Sequence, residues 1–282
     1  MDFSEIETNI LLKNNSPLDD FLGLSPNDMY DLIYYPHENN SPVKIRSDID
    51  NATLDKIPFI RIIEELLKIV QRDSFIKLTP LGALPKKVVV ELYSYKFIPE
   101  YFLENGVTKL TRQQDSISIE NARLVAEVAG LVKKIKRKFS LTKNGTLLLK
   151  PENRIKLFKA ILEAFTERFM WSYNDGYPEH PIGQKGWAFS VFMVAKFGEQ
   201  FRQGQFYGDK YVTAFPHFIE YFSDVTYETP RDNCIRCYVV RTFERFFEWF
   251  GFVETEKGEK VLDSSNYKAA DLLRKVFTIE ES

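Results

Sequence analysis

Three times along this chain a helical stretch runs into the same short phrase, Thr-x-x-Gly, followed by an apolar segment that reads as another helix. The copies are Thr79-Pro80-Leu81-Gly82, Thr142-Lys143-Asn144-Gly145 and Thr255-Glu256-Lys257-Gly258. Glycine supplies the positive φ that a tight reversal between two strands requires. A β-branched threonine favours the extended backbone before it. A lone two-stranded hairpin is marginal in water and must lie against a helix, and each phrase has one on either side. The spacing between the threonines is uneven, so the pattern is no fixed-period solenoid. It predicts helix, strand, turn and strand, the layout of a winged helix.

The expected fold is therefore α+β, mainly α, with two to three winged-helix-like units joined by a helical middle section. The boundaries read as 1–55, a polar segment with one short helix; 56–117, a first unit and connector; 118–170, a second unit; 171–230, the helical middle; and 231–282, a third unit. Apolar residues make up 44% and aromatic residues 15% of the 282 residues, enough for a core rich in rings.

Local signals support particular elements. Ser25-Pro26-Asn27-Asp28 has a cap, a proline at the first helical position and an acid in the first turn, so a helix is expected near 26–35. Ile62, Ile63, Leu66, Leu67 and Val70 share a helical face. Ala122, Val125, Ala129, Val132 and Ile135 continue as one stripe, which predicts a helix running into the basic residues 133–138. Asn144-Gly145 is a strong hairpin dipeptide, so Thr146 to Leu149 is expected to return as a strand. Gly251 reads as a helix stop, 252–255 and 259–262 as a hairpin, and 265–277 as a final helix.

Charge is segregated. Residues 1–55 hold eleven acids and three bases; residues 133–159 hold ten bases and one acid. Lys133, Lys134, Lys136, Arg137 and Lys138, with Lys143 at the expected hairpin tip, are the candidate nucleic-acid-binding residues. Lysine and arginine give affinity for phosphates through counterion release, without reading bases. The alternative is a protein partner or self-association, in which acidic and basic faces meet.

Other constellations read as structure. Cys234-x-x-Cys237 lies in the first turns of an apolar helix, and no second cysteine pair exists to complete a zinc set. Asp175, Glu179 and His180 share a ring-rich loop, but no nucleophile with a recognisable frame is near. Gly-rich phosphate loops, Gly-x-Ser-x-Gly and His-Glu-x-x-His are absent. No catalytic residues, cofactor or metal are expected. The acidic start lacks a secretory pattern, and no apolar run approaches the roughly 20 residues of a bilayer span, so a cytoplasmic protein without membrane contact is expected.

Phe21-Leu22-Gly23-Leu24-Ser25-Pro26 with Met29-Tyr30, and Ile76-Lys77-Leu78-Thr79-Pro80-Leu81-Gly82-Ala83-Leu84-Pro85-Lys86, resemble a family of uncharacterised bacterial proteins. That family is loosely grouped with plasmid reading frames and passenger genes of insertion elements. The resemblance covers most of the chain. It implies a mobile-element or nucleic-acid context and no catalytic residues.

Overall fold

Ser25 and Asp28 cap each other. The Ser25 hydroxyl accepts from Asp28 N at 3.2 Å, and the Asp28 carboxylate accepts from Ser25 N at 2.9 Å. This reciprocal box, with Pro26 at the first position, starts the Pro26–Tyr34 helix. The computed structural model describes residues 3–222, 228–258 and 264–280. The described chain is mainly helical with small sheets. No described helix is long and apolar enough to cross a membrane.

The strands are β1 (Val43–Ile45), β2 (Ile76–Lys77), β3 (Val132–Ile135), β4 (Lys138–Leu141), β5 (Arg202–Gln203), β6 (Val253–Glu256), β7 (Asn266–Ala269) and β8 (Phe277–Ile279). The chain divides into two units. The inserted unit is Ser47–Phe169; the host unit takes the residues up to Arg46 and those from Met170 onward.

The inserted unit is built on the Pro58–Arg72 helix. Phe59, Ile60, Ile63, Leu66, Leu67 and Val70 are all essentially buried there. β2 follows, then the Lys86–Ser94 helix, the Ile117–Val128 helix, and the β3–β4 hairpin. The three strands pair antiparallel in the order β2-β4-β3, with Ile76 opposite Phe139 and Lys134 opposite Phe139 on its other side. The Arg154–Glu163 helix and its π-helical extension Ala164–Arg168 complete the unit. Arg154 ties it together. Its guanidinium meets buried Glu64 at 2.8 Å and Asp55 at 3.0 Å.

The host unit surrounds the Trp187–Phe197 helix, in which nine of eleven residues are buried. A helix that is apolar all round belongs inside. The expected aromatic core is present: Tyr211 stacks on Tyr238 with centroids 4.1 Å apart, and Phe243 lies 4.6 Å from Tyr267. Thr229 accepts from Asp232 N to start the Pro230–Val239 helix, which widens into a π-helix over Val240–Phe247. β1 pairs with β8, and β7 lies between β5 and β6.

Several sequence expectations are corrected. Residues 133–138 do not end a helix: Gly130, at φ +67°, closes the helix and the chain enters β3. Asn144-Gly145 is no hairpin turn. Thr142 accepts from Gly145 N at 2.8 Å and caps the Lys143–Leu148 helix. Over 265–277 the chain forms β7 and the short Asp271–Val276 helix instead of one long helix. β6 pairs with β7; the expected return strand at 259–262 lies outside the described residues.

The three Thr-x-x-Gly phrases consequently do three different things. Thr142 is a helix cap. Thr79 closes a loop, with its hydroxyl accepting from Ala83 N and its carbonyl from Gly82 N. Thr255 lies in a strand and donates to Glu248. The phrase is not one repeated structural unit. The stretches read as 56–117 and 118–170 meet in one unit, because β2 comes from the first and β3 and β4 from the second.

Candidate nucleic-acid interface

β3 and β4 are joined by two residues, Lys136 and Arg137, since Ile135 pairs directly with Lys138. Of the two-residue connections whose twist suits the strands, type I′ needs both central residues left-handed. They are, at φ +48° and +65°. The Arg137 carbonyl accepts from Leu78 N at 2.9 Å, which anchors the tip to the chain leaving β2.

Strand alternation then sorts the side chains. Ile76, Phe139 and Val132 point into the unit and are buried. Lys77, Lys138, Ile135 and Lys133 are exposed. Lys77 lies directly across from Lys138, so the register puts like charges side by side. That arrangement is unfavourable by itself. Lys134 is exposed as well, and its ammonium lies against Gly82: a Cβ added there would come within 2.5 Å of Nζ. Lys138 Nζ sits 4.7 Å from the centre of the Phe75 ring.

Five of the six expected basic residues therefore share one hairpin. Lys143 is apart from them, exposed in the first turn of the helix that follows β4. Among the described residues, none of the six takes part in an ion pair. The inserted unit holds twenty-two bases and fifteen acids, net +7; the host unit holds sixteen and twenty-five, net −9. Sequence reading missed Lys77. Its strand was legible, but its pairing with Lys138 is a register that only the folded chain reveals.

The 171–182 loop holds its polar groups for itself. The Asp175 carboxylate meets the Arg241 guanidinium at 2.5 Å, with both side chains fully buried, and accepts from Tyr177 N. The His180 ring stacks on Tyr221 with centroids 3.5 Å apart. No hydrogen bond joins Asp175 to His180 among the described residues. Cys234 and Cys237 are buried, and burial pushes their thiols up to about 11 and about 12. Among the described residues no group of three or more His, Cys, Asp or Glu is placed to hold a metal.

No protein-family model, curated protein sequence or solved structure matches this chain.

Proposed function

We propose that this chain binds nucleic acid through the β3–β4 hairpin of a winged-helix-like inserted unit. Residues 58–141 run helix, strand, helix, helix, strand, strand once the short Tyr101–Glu104 helix and the Gln113–Asp115 turn are set aside, with the last strand between the other two, and that order supports a winged-helix-like reading. The hairpin stands where the wing would be. The reading is of a binding protein and not an enzyme, in the cytoplasm, in keeping with the resemblance to mobile-element passenger proteins.

The observation that carries the reading is the composition of the tip. A two-residue turn with both φ positive favours Asn-Gly. Holding two long side chains there costs roughly 1–2 kcal/mol per residue. This chain has Lys136-Arg137, adds like charges at Lys77, Lys133, Lys134 and Lys138, and leaves all of them unpaired among the described residues. Foldability favours neither residue of the tip and does not call for so many like charges together; a phosphate backbone favours all of them.

The test is retention of nucleic acid over a salt series. Wild-type protein should bind at low salt and lose about a thousandfold in affinity between 50 and 200 mM if six contacts form. Replacing Lys133, Lys134, Lys136, Arg137 and Lys138 by alanine should abolish retention. Unchanged retention would end the reading.

A second reading is a scaffold in which the basic hairpin meets an acidic protein surface. The net −9 of the host unit favours a second copy as that surface. Salt-sensitive self-association, lost in the same alanine variant and seen without nucleic-acid retention, would select it.

A further inference from the structure

The Ile117–Val128 helix precedes the hairpin, in the position from which a base-reading helix would enter a groove. Its polar side chains are mostly turned inward, and its exposed face holds the apolar Ile117 and Val128 beside half-buried Leu124 and Glu127. Ser118, Glu120 and Asn121 are at most 4% exposed, and Arg123 is 8% exposed. The Arg123 guanidinium donates to Glu127 at 3.1 Å and lies over the Phe139 ring. The π-helical Ala164–Arg168 segment packs against this helix, and Arg168 donates to the Val128 carbonyl at 3.2 Å.

The start of this helix is also occupied. Free N–H groups at a helix start suit a phosphate, but here Glu100 takes them. Its carboxylate accepts from Ile117 N at 3.1 Å and Ser118 N at 3.0 Å. It also accepts from the Ser116 and Ser118 hydroxyls, each at 2.7 Å. A phosphate approaching this end would meet a carboxylate already in place.

Bases are read by side chains that reach their edges, and this helix offers none. The ribbon is exposed, with Lys133 and Lys138 on adjacent strands and Lys136 and Arg137 at its tip. Cations on both strands and at the tip can lie across the two phosphate backbones that border a duplex groove. Single strands are held by free rings on which bases stack, and Phe75, the ring that immediately precedes β2, lies under the Lys138 ammonium.

We infer that the inserted unit grips double-helical nucleic acid by its phosphates alone, through the hairpin, without reading base sequence. This rests on the nucleic-acid reading above. Affinity is measured for the full chain against two DNA duplexes of unrelated mixed sequence, the single strands from which they are made, and anionic phospholipid vesicles, each over a salt series.

The two duplexes should bind alike, within about twofold, and more tightly than either strand; a sequence reader separates sites from non-sites by about a thousandfold or more. The log–log salt slope should be about −5 for six contacts. Replacing Lys136 and Arg137 by alanine should reduce it by about two. Binding that discriminates between the duplexes, or that favours single strands, overturns this inference and leaves the nucleic-acid reading standing. Failure to retain any nucleic acid at low salt, with or without vesicle binding, overturns the reading itself.

Discussion

The Arg241 guanidinium and the Asp175 carboxylate meet at 2.5 Å with neither side chain exposed. The same guanidinium donates to the carbonyls of His180 at 2.6 Å and Pro178 at 2.9 Å. Next to it on the π-helix, Arg245 donates to the carbonyls of Tyr173 and Asn174. The loop that carries Asp175, Glu179 and His180 is thus stapled by two arginines. Removing one partner of a buried pair leaves an uncompensated charge, which costs about 3–5 kcal/mol. Asp175→Asn should lower stability by that amount in denaturant titration while leaving nucleic-acid retention at low temperature intact. A change below about 1 kcal/mol would contradict a load-carrying role for the pair.

Gly145 offers a prediction opposite in sign to helix propensity. Glycine to alanine inside a helix normally stabilises by about 1 kcal/mol. Here an added Cβ would lie 1.9 Å from the Leu131 carbonyl oxygen. That oxygen also accepts from Thr142 N at 3.0 Å, so it is not free to move. Gly145→Ala should destabilise by more than about 2 kcal/mol, whereas Thr142→Ala should cost about 1 kcal/mol as a lost cap. Thermal melts of the two variants decide the order.

Glu248 sets a pH dependence. Burial raises its half-buried carboxyl above the ordinary 4.5, with Lys257 and the Thr255 hydroxyl pulling the other way. Between 4.5 and that raised value the folded chain binds more protons than the unfolded chain, so this group's contribution to stability falls as pH rises. Glu248→Gln should therefore raise the Tm near pH 7 and give no gain near pH 4. A gain confined to low pH would reverse the argument.

The cysteines should be protected. Burial pushes the Cys234 thiol up to about 11, so its reactive thiolate is far scarcer than in an open chain. A thiol reagent should label both cysteines rapidly in denaturant and at least about a hundredfold more slowly in buffer. Fast labelling of the folded protein would show that the Pro230–Val239 helix opens readily.

Much of the helical frame was legible, because it rests on local signals. Ser25-Pro26 started a helix, Gly251 at φ +69° stopped one, and the spacing from Ile62 to Val70 marked a buried face. The hairpin was misread because Val132 and Ile135 fit the helical stripe from Ala122 onward as well as they fit a strand. Gly130 was the available warning, since a glycine one turn past a periodic run is a common helix end. Asn144-Gly145 misled because Thr142 is as good a cap as Asn-Gly is a turn, and tertiary packing of Gly145 on Leu131 decided between them. Five of the six basic residues share one hairpin and Lys143 stands apart, and that the five form a ribbon and its tip depends on Ile135 pairing with Lys138. Glu100 filling a helix start sixteen to eighteen residues away leaves no pattern in the sequence at all.

The central claim is that Lys136 and Arg137 occupy a turn at the expense of stability because their charges meet phosphate. The double substitution Lys136→Asn with Arg137→Gly separates the two effects. Thermal unfolding and duplex retention measured on the same variant should show a stability gain of about 1–2 kcal/mol from the glycine, with a smaller addition from the asparagine, together with weaker, less salt-sensitive binding. A variant that is stabilised yet binds duplex as tightly as wild type, or one that loses stability, would contradict the account.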